Sequence, residues 1–511
     1  MALTKVQKTG ITDNAIDADK IEDGTIVAAD IAPGTGKTTK LLSLVEQHLQ
    51  EGVLPSHIGY LAFTRKAANE AADRAFTKFD YTKDDIPYFR TIHSLCFKQL
   101  NLKRSHVMAP THYRELGEML GLEVDGGVDM GEGQIFGMKT GDKLFFLENL
   151  ARVQRKPLYD IYNKYNDDAV NWFELERLSK ALVKYKDKRK IIDYTDMLVK
   201  CLEQKLFPKL RILFVDEAQD LSAIQWDIIN EIGKDTEIMY VAGDDDQAIY
   251  RWAGADVDKF IKLEGKSTVL DQSYRVPITV HELANKLNLR IKDRIKKEFK
   301  PRTETGEIRW YMDPEDVDIS KGSWYLLARN GYMLNELENI CIKNGYPYIV
   351  LGKRSPLNSE VLNAISQWNR LSSGESILGS GIKLIYKYMV TRCPRGIDPE
   401  AYYTINDFEL KSGNWWERLN KIDTKRREYY IMLLQRGENL DQEPRIKIST
   451  IHGVKGGEAE HVLLITDIAP RTYREMHSLP DDEIRVFYVA VTRAKRSLHI
   501  VQPNTNMYFD L

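Results

Sequence analysis

The sequence of 511 residues contains no apolar run of about 18 residues, the length that a membrane-spanning helix needs. Its N-terminus also lacks the apolar segment that a signal peptide carries. These two absences argue against an integral membrane protein and against a secreted one. We therefore expect a cytoplasmic protein with no membrane partner.

Cysteine is scarce and scattered along the chain. No two of the cysteines form a Cys-x-x-Cys pair, and the gaps between them are long. This spacing argues against a zinc site, an iron–sulfur cluster and a disulfide scaffold. We expect buried free thiols at all four positions, Cys96, Cys201, Cys341 and Cys393.

A strong charge of one sign is also absent, since the formal net charge is −2 at pH 7. Such a chain creates no overall positive field that would concentrate phosphates around it. Any binding of nucleic acid must therefore come from a local groove.

The most informative stretch runs from Ala32 to Thr38 and resembles a phosphate-binding loop. Its glycines let backbone N–H groups turn toward a phosphate, Lys37 would reach the terminal phosphates, and the Thr38 hydroxyl would bind Mg²⁺. Apolar residues at helical spacing follow as far as Gln50, so the loop opens a helix whose N-terminus favours anions. The pattern usually has glycine where this chain has Ile31, and a glycine-rich turn before an ordinary helix is the alternative. We expect phosphate contacts from Gly34, Thr35, Gly36, Lys37 and Thr38.

Two apolar runs end in polar side chains. Residues 211–215 lead into Asp216 and Glu217, and residues 238–242 lead into a segment that ends at Gln247. Ligands of open α/β sheets bind at the carboxyl ends of the strands. One carboxylate of the pair can hold Mg²⁺ while its neighbour orients or deprotonates a water. Gln247 is suited to sense the γ-phosphate or the water, and an ordinary polar residue at a strand end is the alternative for it. A solvated acidic turn is the alternative for the acids.

Phosphoryl transfer also needs positive charge where negative charge develops in the transition state. An arginine supplied by another domain can provide it, and Arg275 and Arg493 are the candidates because of the segments in which they stand, 271–275 and 488–494. An isolated arginine is more often a surface residue, so both assignments depend on the neighbouring sequence.

Taken together, these segments resemble the UvrD/Rep/PcrA-type superfamily-one DNA helicases. The matching motifs occur in the order of that family and cover most of residues 32–501. They are Ala32–Thr38, Ala62–Ala68, Thr91–Ser94, Val215–Asp220, Gly243–Trp252, Gln272–Arg275, Ser449–Glu458 and Tyr488–Ala494.

The resemblance implies an α/β fold with two RecA-like P-loop NTPase domains, each with a parallel sheet interrupted by a mainly helical insertion. We expect the first domain at 31–100 and 191–278 with its insertion at 101–190. The second is expected at 279–355 and 445–511 with its insertion at 356–444. Residues 1–30 form an atypical leader that resembles short repeats of phage structural proteins, and a disordered polar lead-in is equally compatible with their composition.

For the nucleotide, the resemblance implies ATP and Mg²⁺ as cofactors. Asp216 and Thr38 would hold the metal, and Glu217 would activate water. Gln247, Arg275 and Arg493 would contact the γ-phosphate, Tyr274 would stack on adenine, and Glu458 would contact the ribose or nearby polar groups.

For the nucleic acid, the resemblance implies aromatic side chains that stack on single-stranded bases, namely Phe63, Tyr250 and Trp252. Stacking tolerates any sequence, so it suits a strand that slips one base at a time. Core packing is the alternative for these rings, and Tyr250 fits that alternative better than Trp252. Thr64, Arg65, His93 and His452 would touch the phosphate backbone or couple it to the ATP site.

The chain departs from the family at two places. Residues 1–30 contain no counterpart of the glutamine segment that reads adenine, and Ala253 stands where relatives often carry arginine. The second insertion is also short, at about 90 residues.

We therefore expect an ATP-dependent helicase that translocates on single-stranded DNA, 3′-to-5′ by resemblance, and unwinds duplexes at single-strand junctions. It would act as a monomer with replication or repair proteins. The alternatives are a translocase or protein-displacing motor that unwinds weakly, a DNA-binding relative without hydrolysis, and a virion component suggested only by residues 1–30.

Overall fold

The computed structural model describes residues 34–125, 139–165, 170–266, 268–352, 356–437 and 443–511. The predicted leader 1–30, Ile31, and residues Ala32 and Pro33 of the phosphate loop lie outside the described residues.

The described strands form two parallel sheets and one small antiparallel pair, which confirms the predicted α/β class. The first sheet has the order β2–β1–β3–β4, and the second has the order β5–β12–β11–β6–β10–β7. The strands are β1 Ile58–Ala62, β2 Phe89–Thr91, β3 Ile212–Asp216, β4 Ile238–Val241, β5 Glu307–Tyr311, β6 Trp324–Ala328, β7 Tyr348–Val350, β8 Ile377–Leu378, β9 Tyr402–Tyr403, β10 Ile446–Thr450, β11 Ala459–Ile465 and β12 Ala494–Val501.

Helices cover both sheets and fill the long connections between strands. Among the described residues, no helix is both long and apolar enough to cross a membrane. The helices are α1 Lys37–Gln50, α2 Arg65–Phe79, α3 Ile92–Gln99, α4 Pro110–Leu120, α5 Thr140–Val153, α6 Leu158–Tyr165, α7 Trp172–Arg189, α8 Tyr194–Glu203, α9 Ala223–Gly233, α10 Val257–Ile261, α11 Ile278–Asn288, α12 Leu334–Asn344, α13 Ser359–Ser372, α14 Gly379–Lys387, α15 Trp415–Arg418, α16 Thr424–Arg436, α17 Pro470–Ser478 and α18 Pro480–Val491.

Strands β1, β3 and β6 consist mainly of apolar residues because both of their faces are covered, and the one charged residue among them, Asp216, is the last residue of β3. All five residues of β1, β3 and β6 are buried. The parallel register places Ala62 of β1 beside Asp216 of β3, so the two strands end at the same edge of the sheet. This edge therefore collects the polar residues that follow the strands.

Two long connections are mainly helical. Helices α3 to α8 lie between β2 and β3, and helices α13 to α16 lie between β7 and β10 together with the antiparallel pair β8–β9. Their exact limits as domains stay a prediction.

The two sheet units meet through helix α18. This helix packs on α11 and against the 3-10 turn Asp245–Gln247, which follows β4 of the first sheet. An apolar cluster joins Ile249 and Tyr250 of the first unit to Val276, Ile451 and the buried face of α18. The polar ends of the first sheet therefore face the second unit directly.

Phe214 tests how the first sheet is stabilised. Its ring is fully buried between the rings of Tyr60 and Tyr240, with centroid distances of 6.1 and 4.8 Å. Phe214→Ala should lower the free energy of unfolding by about 3–5 kcal/mol, because it removes buried surface and leaves a cavity. Chemical denaturation followed by fluorescence measures the change.

Phe173→Ala is the matched control, since the Phe173 side chain is 76% exposed and loses little on truncation. Equal losses in the two variants would contradict the central role of the aromatic stack.

Candidate functional site

The described part of the phosphate loop begins at Gly34 and ends in helix α1. Gly34 and Gly36 have φ angles of 73° and 78°, in the left-handed region that favours glycine. Gly36 precedes Lys37, the first residue of α1, and its carbonyl accepts a hydrogen bond from the Lys40 N–H at 2.9 Å. The loop therefore leads its backbone into the N-terminus of a helix, where N–H groups and the helix dipole favour an anion.

The acid pair lies at the end of β3, as the sequence predicts. Lys37 Nζ is 2.6 Å from Glu217 Oε1 and 3.7 Å from Asp216 Oδ1. Asp216 Oδ2 accepts a hydrogen bond from the Tyr60 hydroxyl at 2.8 Å, and its Oδ1 accepts one from the Glu217 N–H at 2.9 Å. Glu217 itself has a left-handed backbone, with φ of 55°, which turns its carboxylate toward Lys37.

Burial and neighbouring charge give these three groups different proton affinities. Burial alone would lower the pKa of Lys37, but the carboxylates of Glu217 and Asp216 outweigh it and raise that pKa. Burial would raise the pKa of Glu217, but Lys37 and Lys455 lower it to about 2. For Asp216, burial dominates over the attraction of Lys37, and the pKa is raised. Glu217 is therefore held as a carboxylate, whereas additional positive charge nearby would stabilise the ionised form of Asp216.

A second layer of polar residues holds the acids, and sequence reasoning assigned these residues no role. Gln219 donates from Nε2 to Glu217 Oε2 at 2.6 Å and accepts from the Asp244 N–H at 3.0 Å. Lys455, from the second unit, lies 2.6 Å from Asp220 Oδ2. Gln219, Asp220, Asp244 and Lys455 all stand inside the motifs that carry the family resemblance, which was the available signal.

Gln247 is held between the two units. Its Nε2 donates to Asp244 Oδ2, and its Oε1 accepts from Arg493 Nη2 at 2.8 Å. Arg493 is 1% exposed and also donates to the carbonyls of Val489 and Gly457. Burial, followed by the charge of Arg275, lowers the pKa of Arg493 to about 9. This guanidinium therefore lies where its charge is poorly compensated.

Arg275 lies next to the phosphate loop, against Gly34. Its Nε donates to Glu458 Oε2 at 2.7 Å, and Lys495 donates to Glu458 Oε1 at 2.9 Å. The Tyr274 N–H donates to the Gly34 carbonyl at 2.9 Å, and the Tyr274 side chain is 71% exposed. The segment 274–275 is thus attached to the loop by its backbone, with an aromatic ring left open to solvent.

The structure brings the predicted aromatic residues together in a row. The rings of Phe63 and Tyr250 lie 5.5 Å apart, and His452 lies 6.1 Å from Tyr250 and 6.2 Å from Trp252. Trp252 stacks on Phe146 of α5 at 6.1 Å. Tyr250 is only 9% exposed, as core packing would require, whereas Phe63 and Trp252 are partly exposed.

The remaining predicted contacts lie at the starts of α2 and α3 and at the 3-10 turn His452–Val454. Thr64 is exposed and caps α2 by accepting a hydrogen bond from the Ala67 N–H at 3.2 Å. Arg65 follows it and is also exposed. Burial, followed by the charge of Arg65, lowers the pKa of His93 to about 4. His452 is 1% exposed, and burial together with Arg329 lowers its pKa well below the usual value. Both imidazoles are therefore neutral at pH 7.

One side chain connects the row of rings to the acids. Lys455 Nζ lies 5.2 Å from the centre of the Tyr250 ring while it contacts Asp220 and the Gln247 carbonyl. The predicted nucleotide residues and the predicted nucleic-acid residues thus form two groups with a shared contact.

Two family models match the sequence. The UvrD/REP helicase N-terminal domain matches residues 13–268, and the UvrD-like helicase C-terminal domain matches residues 386–505. The first match covers half of the chain and begins inside the segment 1–30, whose composition suggested an unrelated leader.

Individual relatives agree with these matches. DNA helicase II of Rickettsia typhi is 21% identical, over 93% of this chain and 89% of the relative. The ATP-dependent DNA helicase PcrA of Staphylococcus aureus (strain Mu50) is 21% identical, over 76% of this chain and 57% of the relative. Among solved structures, the arterivirus nonstructural protein 10 helicase matches at a TM-score of 0.35 and 11% identity, over 96% of this chain and 63% of that one. A likeness at that level supports no conclusion about function.

Gly34 tests the close approach of the loop to Arg275. A Cβ atom at Gly34 would lie 2.3 Å from the Arg275 Cβ, which is far inside van der Waals contact. Gly34→Ala should therefore displace segment 274–275 and weaken binding of a fluorescent adenine nucleotide by at least about 10-fold, in line with strain of a few kcal/mol.

Gly52→Ala is the control, because Gly52 has a φ of 86° but a Cβ atom added there would have no neighbouring atom within 4 Å. It carries the same backbone strain without the collision, and it should bind nucleotide as the unmodified chain does. A matching loss in Gly52→Ala would show that strain alone is responsible.

Proposed function

Because the chain belongs to the UvrD/Rep family of DNA helicases, we propose that it couples ATP hydrolysis at the cleft between its two RecA-like units to movement along single-stranded DNA. The observation that carries the proposal is that Lys37 pairs with Asp216 and Glu217 at the end of β3. Segment 274–275 contacts the phosphate loop at Gly34, and Arg493 of the second unit donates to Gln247, which follows the neighbouring strand β4.

The proposed catalytic step uses the two acids differently. Lys37 would exchange its contact with Glu217 for the terminal phosphates of ATP, since an ammonium at a helix N-terminus is a phosphate ligand. The freed Glu217 carboxylate, whose pKa of about 2 keeps it ionised, would orient and deprotonate the attacking water. Gln219 would hold Glu217 in place through its 2.6 Å hydrogen bond.

Mg²⁺ fits the residues that the family resemblance implies for it. Burial raises the pKa of the Asp216 carboxyl, and a divalent cation beside it would favour the ionised form. Asp216 and Thr38 would hold the ion, which would neutralise charge on the phosphate oxygens.

The second unit would supply positive charge to the transition state. Arg493 is buried beside Arg275, so its charge is unfavourable until an anion arrives. A γ-phosphate between the units would relieve this repulsion, and the relief would grow as negative charge develops during transfer. ATP binding would therefore draw the units together, and loss of phosphate would release them.

We propose that single-stranded DNA runs over the row of rings formed by Phe63, Trp252 and their neighbours. Phe63 and Trp252 are partly exposed and can offer a face to bases, whereas Tyr250 and His452 would support them from the core. The 3′-to-5′ direction, the unwinding of duplexes and action as a monomer with replication or repair proteins are further parts of the proposal. Strand displacement measured beside translocation separates a helicase from a translocase that unwinds weakly.

Glu217→Gln should lower the ATP turnover number by at least about 100-fold, because an amide cannot accept the proton of the attacking water. Affinity for ATP should stay within about 5-fold, since the phosphate loop is unchanged. Steady-state ATP hydrolysis with saturating single-stranded DNA gives the first value, and nucleotide titration gives the second.

Glu237→Gln is the control, because Glu237 pairs with Arg211 on the surface and should leave turnover intact. Unchanged hydrolysis in Glu217→Gln would remove Glu217 from the role of base.

Trp252→Ala should weaken binding of single-stranded DNA by about 1–3 kcal/mol, the usual contribution of one stacked base. Hydrolysis without DNA should not change, because the ring packs on Phe146 and His452, which are not among the proposed catalytic residues. Fluorescence anisotropy with a labelled oligonucleotide measures the affinity.

Trp310→Ala, at a tryptophan 51% exposed on edge strand β5, serves as the control and should bind DNA normally. If both variants lose the same affinity, the row of rings is not the DNA path.

A further inference from the structure

Three consecutive aspartates follow strand β4 and are completely buried. Asp244, Asp245 and Asp246, here called the aspartate triplet, have no exposed side-chain surface. One carboxylate oxygen from each of the three lies within 4.8 Å of the other two. Three buried negative charges at this spacing repel strongly unless a cation lies among them.

The chain itself supplies that cation from the other unit. Lys297 Nζ lies 2.8 Å from Asp244 Oδ1, 2.5 Å from Asp245 Oδ1 and 3.0 Å from Asp246 Oδ2. The Lys297 side chain is 1% exposed. It belongs to the segment 289–300, which joins α11 to β5 of the second sheet.

Two neighbours of Lys297 in this segment donate hydrogen bonds to the other two aspartates. Arg294 donates to both oxygens of Asp246, at 2.7 and 2.6 Å, and the Ile295 N–H donates to Asp245 Oδ2 at 2.8 Å. Lys297 is the basic side chain of this segment that donates to Asp244. Each aspartate of the triplet therefore accepts a hydrogen bond from a different residue of the segment.

Asp244 matters because it holds Gln247. Its Oδ2 accepts the Gln247 Nε2 hydrogen bond, which leaves Gln247 Oε1 directed at Arg493. A hydrogen bond to a carboxylate is stronger than one between neutral groups, so Asp244 Oδ2 fixes the orientation of this amide. The Lys297 ammonium holds the other oxygen of the same carboxylate, Oδ1, at 2.8 Å and so fixes the position of Asp244 in turn.

We infer that Lys297 is a positioning residue for ATP hydrolysis, which fixes Gln247 through Asp244 and makes its orientation depend on contact between the two units. The inference rests on the proposed function and on the role that the family resemblance implies for Gln247, contact with the γ-phosphate. Lys297 itself would not touch that phosphate, since its ammonium is surrounded by the triplet. Separation of the units would remove the Lys297 and Arg493 contacts together, and the amide would lose both of its orienting partners.

The test compares Lys297→Met with Arg294→Met, measuring ATP hydrolysis with saturating single-stranded DNA. Lys297→Met should lower kcat by about 100-fold, the effect of misplacing a group by about 1 Å, while KM for ATP stays within about 3-fold. Arg294→Met removes a charge from the same segment but leaves Asp244 paired, so kcat should stay within about 3-fold. Equal losses of kcat in the two variants would overturn the inference.

A double-mutant cycle tests whether Lys297 acts through Gln247 or stabilises the active site independently of it. In the Gln247→Ala background, Lys297→Met should change kcat by less than about 2-fold, because the group that it positions is already gone. A full loss in that background would mean that Lys297 acts independently of Gln247 and would overturn the inference.

A charge-balanced variant controls for misfolding of Lys297→Met, which leaves a buried negative charge without its cation. Lys297→Met combined with Asp245→Asn removes one buried charge of each sign, and it still leaves Asp244 without its ammonium. It should fold with a cooperative thermal transition and show the same loss of kcat, whereas recovery of kcat would contradict the assignment. Absence of hydrolysis in the unmodified chain would overturn the proposed function and this inference together. Normal hydrolysis that Lys297→Met leaves unchanged would overturn the inference alone.

Discussion

The ion pair between Lys37 and Glu217 is the contact on which the site depends. Both groups are largely removed from water, and a buried charge without a partner costs several kcal/mol. Helix α1 and strand β3 must therefore keep their polar ends together, and the left-handed backbone at Glu217 makes this possible. The same pair also contains the two groups that the proposed reaction uses. The ammonium that stabilises the carboxylate is the group that a phosphate would attract away from it.

The boundary between the units is built on charge as much as on apolar packing. The first unit contributes carboxylates, and the second contributes the cations Lys297, Lys455 and Arg493. Lys297 and Lys455 are matched by carboxylates, whereas Arg493 faces a neutral amide. The one poorly matched cation of these three lies close enough to Arg275 and Glu217 to be affected by their charges. Contacts of this kind stabilise the two units against each other. The positive charge that stays uncompensated can attract an anion from outside the protein.

The sequence predicted strands whose faces are buried, including β4 at the edge of the first sheet, but it did not reveal β5. Strand β3 reads as a continuous apolar run, whereas β5 alternates Glu307 and Arg309 with apolar residues, and none of its residues is fully buried. The acids were predictable because they follow a strand directly. The Lys455–Asp220 pair was not, since 235 positions separate the partners and only the finished fold brings them together. The segment that carries Lys297 shows no motif at all, because one buried ammonium leaves no periodic pattern.

The position of Lys455 explains how the two predicted groups of residues could communicate. Its ammonium contacts a carboxylate beside the catalytic acids, the carbonyl of Gln247 and the face of the Tyr250 ring. Spatial contact alone does not establish coupling, which requires an element with two arrangements that both sites bias. The boundary between the units is such an element, because Lys455 belongs to one side and its three partners belong to the other. Any motion that separates the units must break the carboxylate and ring contacts in the same step, so the rings that face the proposed DNA path cannot move independently of the acids.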